Sequence, residues 1–382
     1  MNILYVLNSG NPGGMEQHVL DLVKGMHSRG YRVHVWCSEG SIVELYKNAG
    51  AQVTVKPISF DIDPSYIKEL HTYLLTNNID VLHSHELKAG INALIAATLA
   101  GTKVKVSHVH TPISEWKVPN WKKVVDILIY TMSVAFLSNI EIALTASRKS
   151  AKLKEGIPSN KLGVIPNAIN VSDYTFSSGT KSQYRAEILT KHNIPANRFI
   201  FGNISRTSVE KGHSVLIEAF SKFFANKHDK ENFHLLIAGG GELEEALIFQ
   251  INELNLTNYV TITGRFAESD KLKYYASFDS FVFPSFAEGF GIVLIEAMAA
   301  GLPVICSNLP VLCEVAQDNV AYFNVGDSQD LAEKLNSLVV DQQKLNSIGQ
   351  NARMFVKEHY SMDKFIENYI KLYTYLLNKG KK

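Results

Sequence analysis

The sequence predicts an α/β protein built from two doubly wound, Rossmann-like domains facing each other across a cleft. Three observations carry that prediction. Short β-branched runs alternate with amphipathic helical patterns along the whole chain, the signature of a parallel sheet with helices on its faces. The two halves echo one another: ILYVLNSGNPGGMEQHVLDL and FIFGNISRTSVEKGHSVLIEAF each read as strand, glycine-containing loop and amphipathic helix. Finally, 382 residues are too many for one compact domain and suit two of ordinary size.

In the first half, runs at Ile3–Leu7, Tyr31–Trp36, Ile79–His83, Lys103–His108 and Ile140–Thr145 read as strands, with a helix over about Met15–His27. The second half repeats the theme with strands at Phe199–Ile204, His234–Ala238, Val260–Thr263, Ser280–Phe283 and Pro303–Cys306, and a helix over about His213–Phe224. Between them a polar, strand-poor segment, about Ser172–Lys191 with Ser177, Ser178 and Gly179, is expected to be the linker. The domains expected are 1–175 and 192–362, followed by a terminal segment, 363–382. Its helix carries Phe365, Ile366, Tyr369, Ile370, Leu372, Tyr373 and Leu376.

Composition narrows the function classes. With 38 basic and 37 acidic residues the chain lacks the basic excess that nucleic-acid binding requires, so no nucleic-acid partner is expected. Cys37, Cys306 and Cys313 show neither metal-type spacing nor a disulfide framework, which fits reduced thiols in the cytoplasm. The N-terminus, MNILYVLNSG, has no basic n-region and runs straight into a strand pattern. The longest largely apolar stretch, Ile127–Leu137, falls well short of the roughly 20 residues a membrane span needs. A soluble or peripheral protein is expected.

The most informative stretch is Phe283–Cys306, FPSFAEGFGIVLIEAMAAGLPVIC. The apolar run Phe281–Phe283 ends at Pro284, and Gly289, Phe290, Gly291 and Ile292 then form a glycine turn entering a helix. A strand, a glycine turn and a helix start together make a place to hold an anion. Two carboxylates bracket the turn. Glu288 falls in the loop, while Glu296 falls one turn down an otherwise apolar helix, where a carboxylate needs a partner. A ribose diol is one chemically sensible partner, because a carboxylate accepts two O–H hydrogen bonds at once. The plainer alternative is a solvated Glu288 and a Glu296 that pairs with something nearby.

Other constellations lie on loops after strands. Arg206 and Lys211, in SRTSVEKG with Gly212 at the helix entrance, form either a diphosphate clamp or two solvated charges. Gly13 and Gly14 in NPGGMEQHV occupy the matching loop of the first half; alone, they suit an ordinary tight turn. Gly239, Gly240 and Gly241 follow another strand of the second half. His83 and His85 in HSH, and His108 and His110 in HVHTP, are spaced two apart, so each pair shares a face of its strand. Four imidazoles converging there could hold zinc, but no cysteine or carboxylate completes the set at ligand-like spacing, and no metal is expected.

Over Glu288–Ile305 the chain resembles the glutamate-x7-glutamate signature of retaining glycosyltransferase family 4, with its usual continuation EAMAAGLPVI. The resemblance covers nearly the whole chain and is strongest from Ile200 to Cys306. It implies a GT-B enzyme, with no cofactor or essential metal. It would move a sugar from a nucleotide diphosphate sugar, a UDP-sugar in particular, to a saccharide or polyprenyl-diphosphate-linked acceptor. Capsule, O-antigen or exopolysaccharide synthesis is the implied setting. The same resemblance assigns Arg206 and Lys211 to the leaving diphosphate, Glu288 and Glu296 to the donor, and Gly13, Gly14 and Gly239 to the surroundings of the donor phosphates. His110 falls near the reacting sugar, and the last helix crosses back onto the first domain.

Some positions depart from the family pattern. Ala168 replaces the glycine of a Pro-Asn-Gly turn, which leaves the role of Asn167 open, and Leu309, Pro310 and Val311 replace a glycine pair ahead of Glu314. Asp61 and Asp63 spell the metal motif of the other large glycosyltransferase fold, yet they precede Pro64 far from Arg206 and Lys211 and read as chance. A nucleotide-sugar epimerase and an inactive sugar-nucleotide-binding regulator remain as alternatives.

The segment Trp116–Leu137, WKVPNWKKVVDILIYTMSVAFL, sets Trp116, Lys117, Trp121, Lys122 and Lys123 before an apolar helical run. Such a segment is expected to lie at an anionic membrane surface on the cytoplasmic side. The competing expectation is a core helix with a solvated basic end.

Overall fold

A computed structural model describes residues 1–225, 227–340 and 342–379. The chain divides into two compact units: Met1–Asn167 together with the helix Met362–Lys379, and Ala168–Ser361.

The first unit is a parallel sheet of seven strands: β1 (Asn2–Val6), β2 (Arg32–Cys37), β3 (Gln52–Val55), β4 (Val81–His85), β5 (Val104–His108), β6 (Ile140–Ala143) and β7 (Leu162–Val164). Their order is β3-β2-β1-β4-β5-β6-β7, with Tyr5 of β1 registered between Val35 and His83. Helices cover both faces, so the inner strands bury nearly every side chain and read as unbroken apolar runs. The order reverses between β1 and β4, and the loops after those strands open the crevice where doubly wound sheets bind ligands.

The terminal helix Met362–Lys379 packs on this unit. Ile366 seats against Gly25 so closely that a Cβ on Gly25 would lie 2.2 Å from its Cδ1. Arg29 pairs with Asp363 at 2.9 Å. Residues 380–382 of the expected terminal segment lie outside the described residues.

The second unit is a parallel sheet of six strands: β8 (Phe199–Ile204), β9 (Phe233–Ala238), β10 (Val260–Ile262), β11 (Ser280–Phe283), β12 (Val304–Ser307) and β13 (Ala321–Phe323). Its order, β10-β9-β8-β11-β12-β13, reverses between β8 and β11. A cluster of aromatic rings, Phe201, Phe220, Phe223 and Phe233, fills one face.

Two departures from expectation have physical causes. The polar segment expected to be a linker holds the helix Ser178–Lys191, whose N-terminus is capped by Ser177 accepting from Thr180 N at 3.1 Å. Only Ile188 and Leu189 of this helix are buried, so its composition is polar although it packs firmly. Arg185 donates to Ser277 O at 2.6 Å and to Arg198 O at 2.7 Å, which ties the helix into the second unit. The strands β3, β7 and β13 were unexpected; they are three or four residues long, at or beside sheet edges, with only partial burial.

The helix Asn120–Leu137 buries only Tyr130, Ser133 and Val134. Trp121, Val124, Leu128, Met132 and Phe136 form an exposed apolar stripe along it, with Phe136 78% and Trp121 72% exposed. Among the described residues no helix is long and apolar enough to cross a membrane.

Candidate active site

In the second unit, the predicted donor-side residues gather at the switch point between β8 and β11. The loop after β8 carries Arg206 and Lys211; the loop after β11 carries Ser285, Glu288 and the glycine turn. Lys211 Nζ donates to Glu288 Oε1 at 2.6 Å, and Ser285 Oγ donates to the same oxygen at 2.8 Å. Lys211 Nζ also lies 5.8 Å from the centre of the Phe283 ring. Arg206 is the outlying member: its side chain is 80% exposed, and its ion-pair partner among the described residues is Glu210, at 3.7 Å. The structure therefore joins Lys211 and Glu288, and leaves Arg206 extended in solvent.

Two glycines give these loops their shape. Gly291, at φ +89°, is the cap of the helix Ile292–Ala299, a backbone setting that side-chain-bearing residues avoid. Gly239 lets the end of β9 pass the loop after β8, since a Cβ there would lie 2.0 Å from Ser205 O. Leu243 N then donates to Thr207 O at 3.0 Å. The glycine run 239–241 thus packs against the Arg206 loop. Phe290 is buried against Tyr360, with ring centres 5.7 Å apart.

Glu296 is only 3% exposed, and its partners are protein groups. Tyr174 OH donates to Oε1 at 2.7 Å, Lys271 Nζ to Oε1 at 2.6 Å, and Tyr275 OH to Oε2 at 2.8 Å. The two hydroxyls that the sequence suggested a ribose would supply come instead from Tyr174 and Tyr275. Burial pulls the Lys271 ammonium down, but Glu296 and Glu268 together hold it above its usual value. Burial and the Glu296 charge push both tyrosines well up, so they remain neutral donors.

In the first unit, Gly13 caps the helix Gly14–Ser28 in extended backbone, and a Cβ on Gly14 would meet nothing within 4 Å. His110 lies just past β5, half-buried, with its Nε2 3.3 Å from His85 Nδ1 and its ring stacked at 4.0 Å on His108. A buried network fixes the chain immediately before it. Lys152 Nζ donates to Val109 O at 2.7 Å and pairs with Glu141 at 2.5 Å, while Tyr130 OH donates to Glu141 at 2.6 Å. Burial, then neighbouring His18 and His85, holds the His110 imidazole well below its ordinary value.

Several residues were not legible from sequence. His18, on the first helix, joins His85, His108 and His110, with its Nδ1 2.7 Å from Asn167 Oδ1. That bond gives Asn167 a role without a glycine after it, because Ala168 is not among the residues with positive φ. His83 stacks on His85 with ring centres 4.4 Å apart but turns its Nδ1 to Tyr373 OH, at 2.8 Å. Glu86, at φ +63°, accepts from Asn8 N and joins the loops at the β1/β4 switch point. Asp63 caps the helix Pro64–Thr76, accepting from Ser65 N and Tyr66 N, so its place in the Asp61/Asp63 motif is helix-start chemistry. Glu314 lies half-buried on the helix Pro310–Ala316.

Residues 12–173 match the model described as Glycosyltransferase Family 4, and residues 185–355 match Glycosyl transferases group 1. This chain belongs to that glycosyltransferase family. The glycosyltransferase is 26% identical over 369 residues to the capsular polysaccharide biosynthesis glycosyltransferase CapM of Staphylococcus aureus, covering 94% of this chain and 93% of that one. It is 25% identical over 355 residues to the UDP-Gal:alpha-D-GlcNAc-diphosphoundecaprenol alpha-1,3-galactosyltransferase of Escherichia coli, with 90% and 89% covered. The crystal structure of Anabaena Alr3699/HepE in complex with UDP shares the GT-B fold, at TM-score 0.85 and 22% identity, over 98% of this chain and all of that one.

Proposed function

We propose that this glycosyltransferase retains anomeric configuration, uses a UDP-sugar, needs no metal at the diphosphate, and extends a polyprenyl-diphosphate-linked saccharide in cell-surface polysaccharide synthesis. The observation that carries this reading is the junction of Lys211, Ser285 and Glu288 at the β8/β11 switch point, beside the capped start of the helix Ile292–Ala299. A lysine and the first turn of a helix offer the positive charge that a metal would otherwise supply to a leaving diphosphate. The Escherichia coli relative, named for UDP-galactose and a diphosphoundecaprenol acceptor, supports the choice of donor and acceptor class.

The chemistry follows from that charge. The acceptor hydroxyl attacks the anomeric carbon on the face from which the diphosphate departs, forming the new C–O bond as the old one breaks. Its proton passes to an oxygen of the leaving phosphate, so no protein nucleophile is required. Lys211 holds the developing phosphate charge, and the exposed Arg206 folds onto the same diphosphate when donor binds. Glu288 and the Gly289–Ile292 turn hold the sugar, and the family resemblance assigns His110 to the reacting sugar. Glu296 braces the helix behind the turn through Tyr174, Lys271 and Tyr275.

The membrane-facing part of the reading rests on the helix Asn120–Leu137. Its exposed stripe of Trp121, Val124, Leu128, Met132 and Phe136 begins beside exposed Lys117 and Lys122. Apolar burial in the headgroup region and attraction to anionic lipid would hold the enzyme on the cytoplasmic leaflet, where a lipid-linked acceptor resides. The test of the whole reading is transfer from UDP-sugars to a polyprenyl-diphosphate-linked saccharide with EDTA present. Transfer with retained configuration is expected; an epimerised sugar formed from donor alone, without acceptor, would favour the epimerase alternative.

A further inference from the structure

Four imidazoles meet inside the first unit: His18 from the helix Gly14–Ser28, His85 at the end of β4, His108 at the end of β5, and His110 just beyond it. One ring nitrogen of each lies within 4.8 Å of the others. His85 Nδ1 and His110 Nε2 are 3.3 Å apart. That is close to the edge of a tetrahedron of nitrogens around zinc, roughly 3.4 Å for Zn–N bonds of about 2.0 to 2.1 Å.

The surroundings point to a cation. Both ring nitrogens of His108 are buried with no hydrogen-bond partner. Buried polar atoms are ordinarily paired, and orphaned ones call for an explanation such as an ion. His18 is fixed as metal-ligating histidines commonly are, its Nδ1–H donating to Asn167 Oδ1 at 2.7 Å, and its Nε2 has only a long contact to Tyr369 OH, at 3.4 Å, which a cation could displace. His83, bonded to Tyr373, stays outside the set. An all-imidazole set suits zinc and its first-row neighbours rather than magnesium or calcium, which require oxygen ligands.

We propose that His18, His85, His108 and His110 bind one Zn2+ or a chemically similar first-row dication, and that occupancy withdraws His110 from sugar transfer. The half-buried His110 forms the entry edge of the site. The binding half of the proposal stands on this geometry alone; the inhibitory half rests on the reading of His110 given above.

The experiment has a spectroscopic arm and a kinetic arm. Metal-free protein is titrated with Co2+, which reports tetrahedral coordination through intense visible absorption, and then with Zn2+ to displace it. One equivalent is expected in the wild type and in His83→Asn, and none in a His18→Asn/His85→Asn double variant whose circular dichroism matches the wild type. In the kinetic arm, one equivalent of Zn2+ lowers transfer by about a hundredfold, the scale of losing a positioned polar side chain, and EDTA restores it. In the His18→Asn/His85→Asn double variant, whatever transfer remains is not lowered further by one equivalent of Zn2+. Absence of tetrahedral cobalt in the wild type, or equal binding by the double variant, overturns the site. Stoichiometric zinc without inhibition overturns only the withdrawal of His110, whereas a metal-free enzyme inactive towards every UDP-sugar contradicts the functional reading instead.

Discussion

Lys211 Nζ lies 2.6 Å from Glu288 Oε1 across 77 positions of sequence, joining the loops after β8 and β11. The pair brings a cation to the switch point of the second sheet and keeps it there by charge and by a hydrogen bond, with the lysine side chain 18% exposed and the glutamate 9%. Under the proposed function, a donor diphosphate arriving at this point would meet a lysine already held in place.

Lys211→Ala is therefore expected to lower kcat by about a hundredfold or more while changing KM far less, because leaving-group charge peaks in the transition state. Steady-state kinetics with a UDP-sugar read this directly. An equal fall in affinity with kcat unchanged would place Lys211 in ground-state binding alone.

Glu296→Ala is expected to act first on stability. It removes the acceptor shared by Lys271, Tyr174 and Tyr275; Lys271 keeps Glu268 at 3.4 Å and Tyr275 keeps Val293 O at 3.3 Å, while Tyr174 loses its partner, and a buried unpaired group costs about 1 to 3 kcal/mol. Thermal unfolding should show a clear drop in Tm, with Tyr174→Phe dropping less. A variant with wild-type Tm and weakened UDP binding by calorimetry would return Glu296 to direct contact with the ribose.

The fold was largely legible in sequence because the inner strands are buried on both faces and read as continuous apolar runs, as in FHLLIA of β9. Edge strands such as QVTV of β3 bury little and carry no such run. The glycine turn at Gly289–Ile292 and its flanking carboxylates were legible as a motif, since they lie close together in sequence. The partners of Glu296 were not: Tyr174 is 122 positions away, and only the packed sheet brings it there. His18 was hidden for the same reason, sitting in an amphipathic helix pattern that gives no sign of the imidazoles opposite it.

Stability should fall on acidification through buried histidines of the second unit. Burial, reinforced by Lys211, pulls the His213 imidazole down to about 4, against about 6.5 in an unfolded chain. Between those values the unfolded chain binds a proton that the native chain refuses, so this contribution is complete above about pH 6.5 and is lost as pH falls towards 4. Tm measured across that window should decline less steeply in His213→Gln, which keeps a polar group near Ser205 and Asn203. Parallel declines would remove His213 from the account.

Vesicle cosedimentation tests the exposed stripe of the helix Asn120–Leu137. The wild type should pellet with anionic vesicles at low salt, and less with neutral ones. Lys117→Ala/Lys122→Ala/Lys123→Ala and Leu128→Ser/Phe136→Ser should each remain in the supernatant to a greater extent. A wild type that stays soluble with anionic vesicles, or variants that pellet equally, would show that this helix is not the membrane contact.

The most direct test of the central claim is proton NMR of the enzyme with UDP-glucose, UDP-galactose and UDP-N-acetylglucosamine in EDTA, following the sugar first released by slow donor hydrolysis. Retaining, metal-independent cleavage at the Lys211 and Glu288 site predicts UDP and the α anomer before mutarotation, with one donor preferred and with release lost in Lys211→Ala. Initial release of the β anomer, or cleavage that appears only when manganese is added, would contradict it.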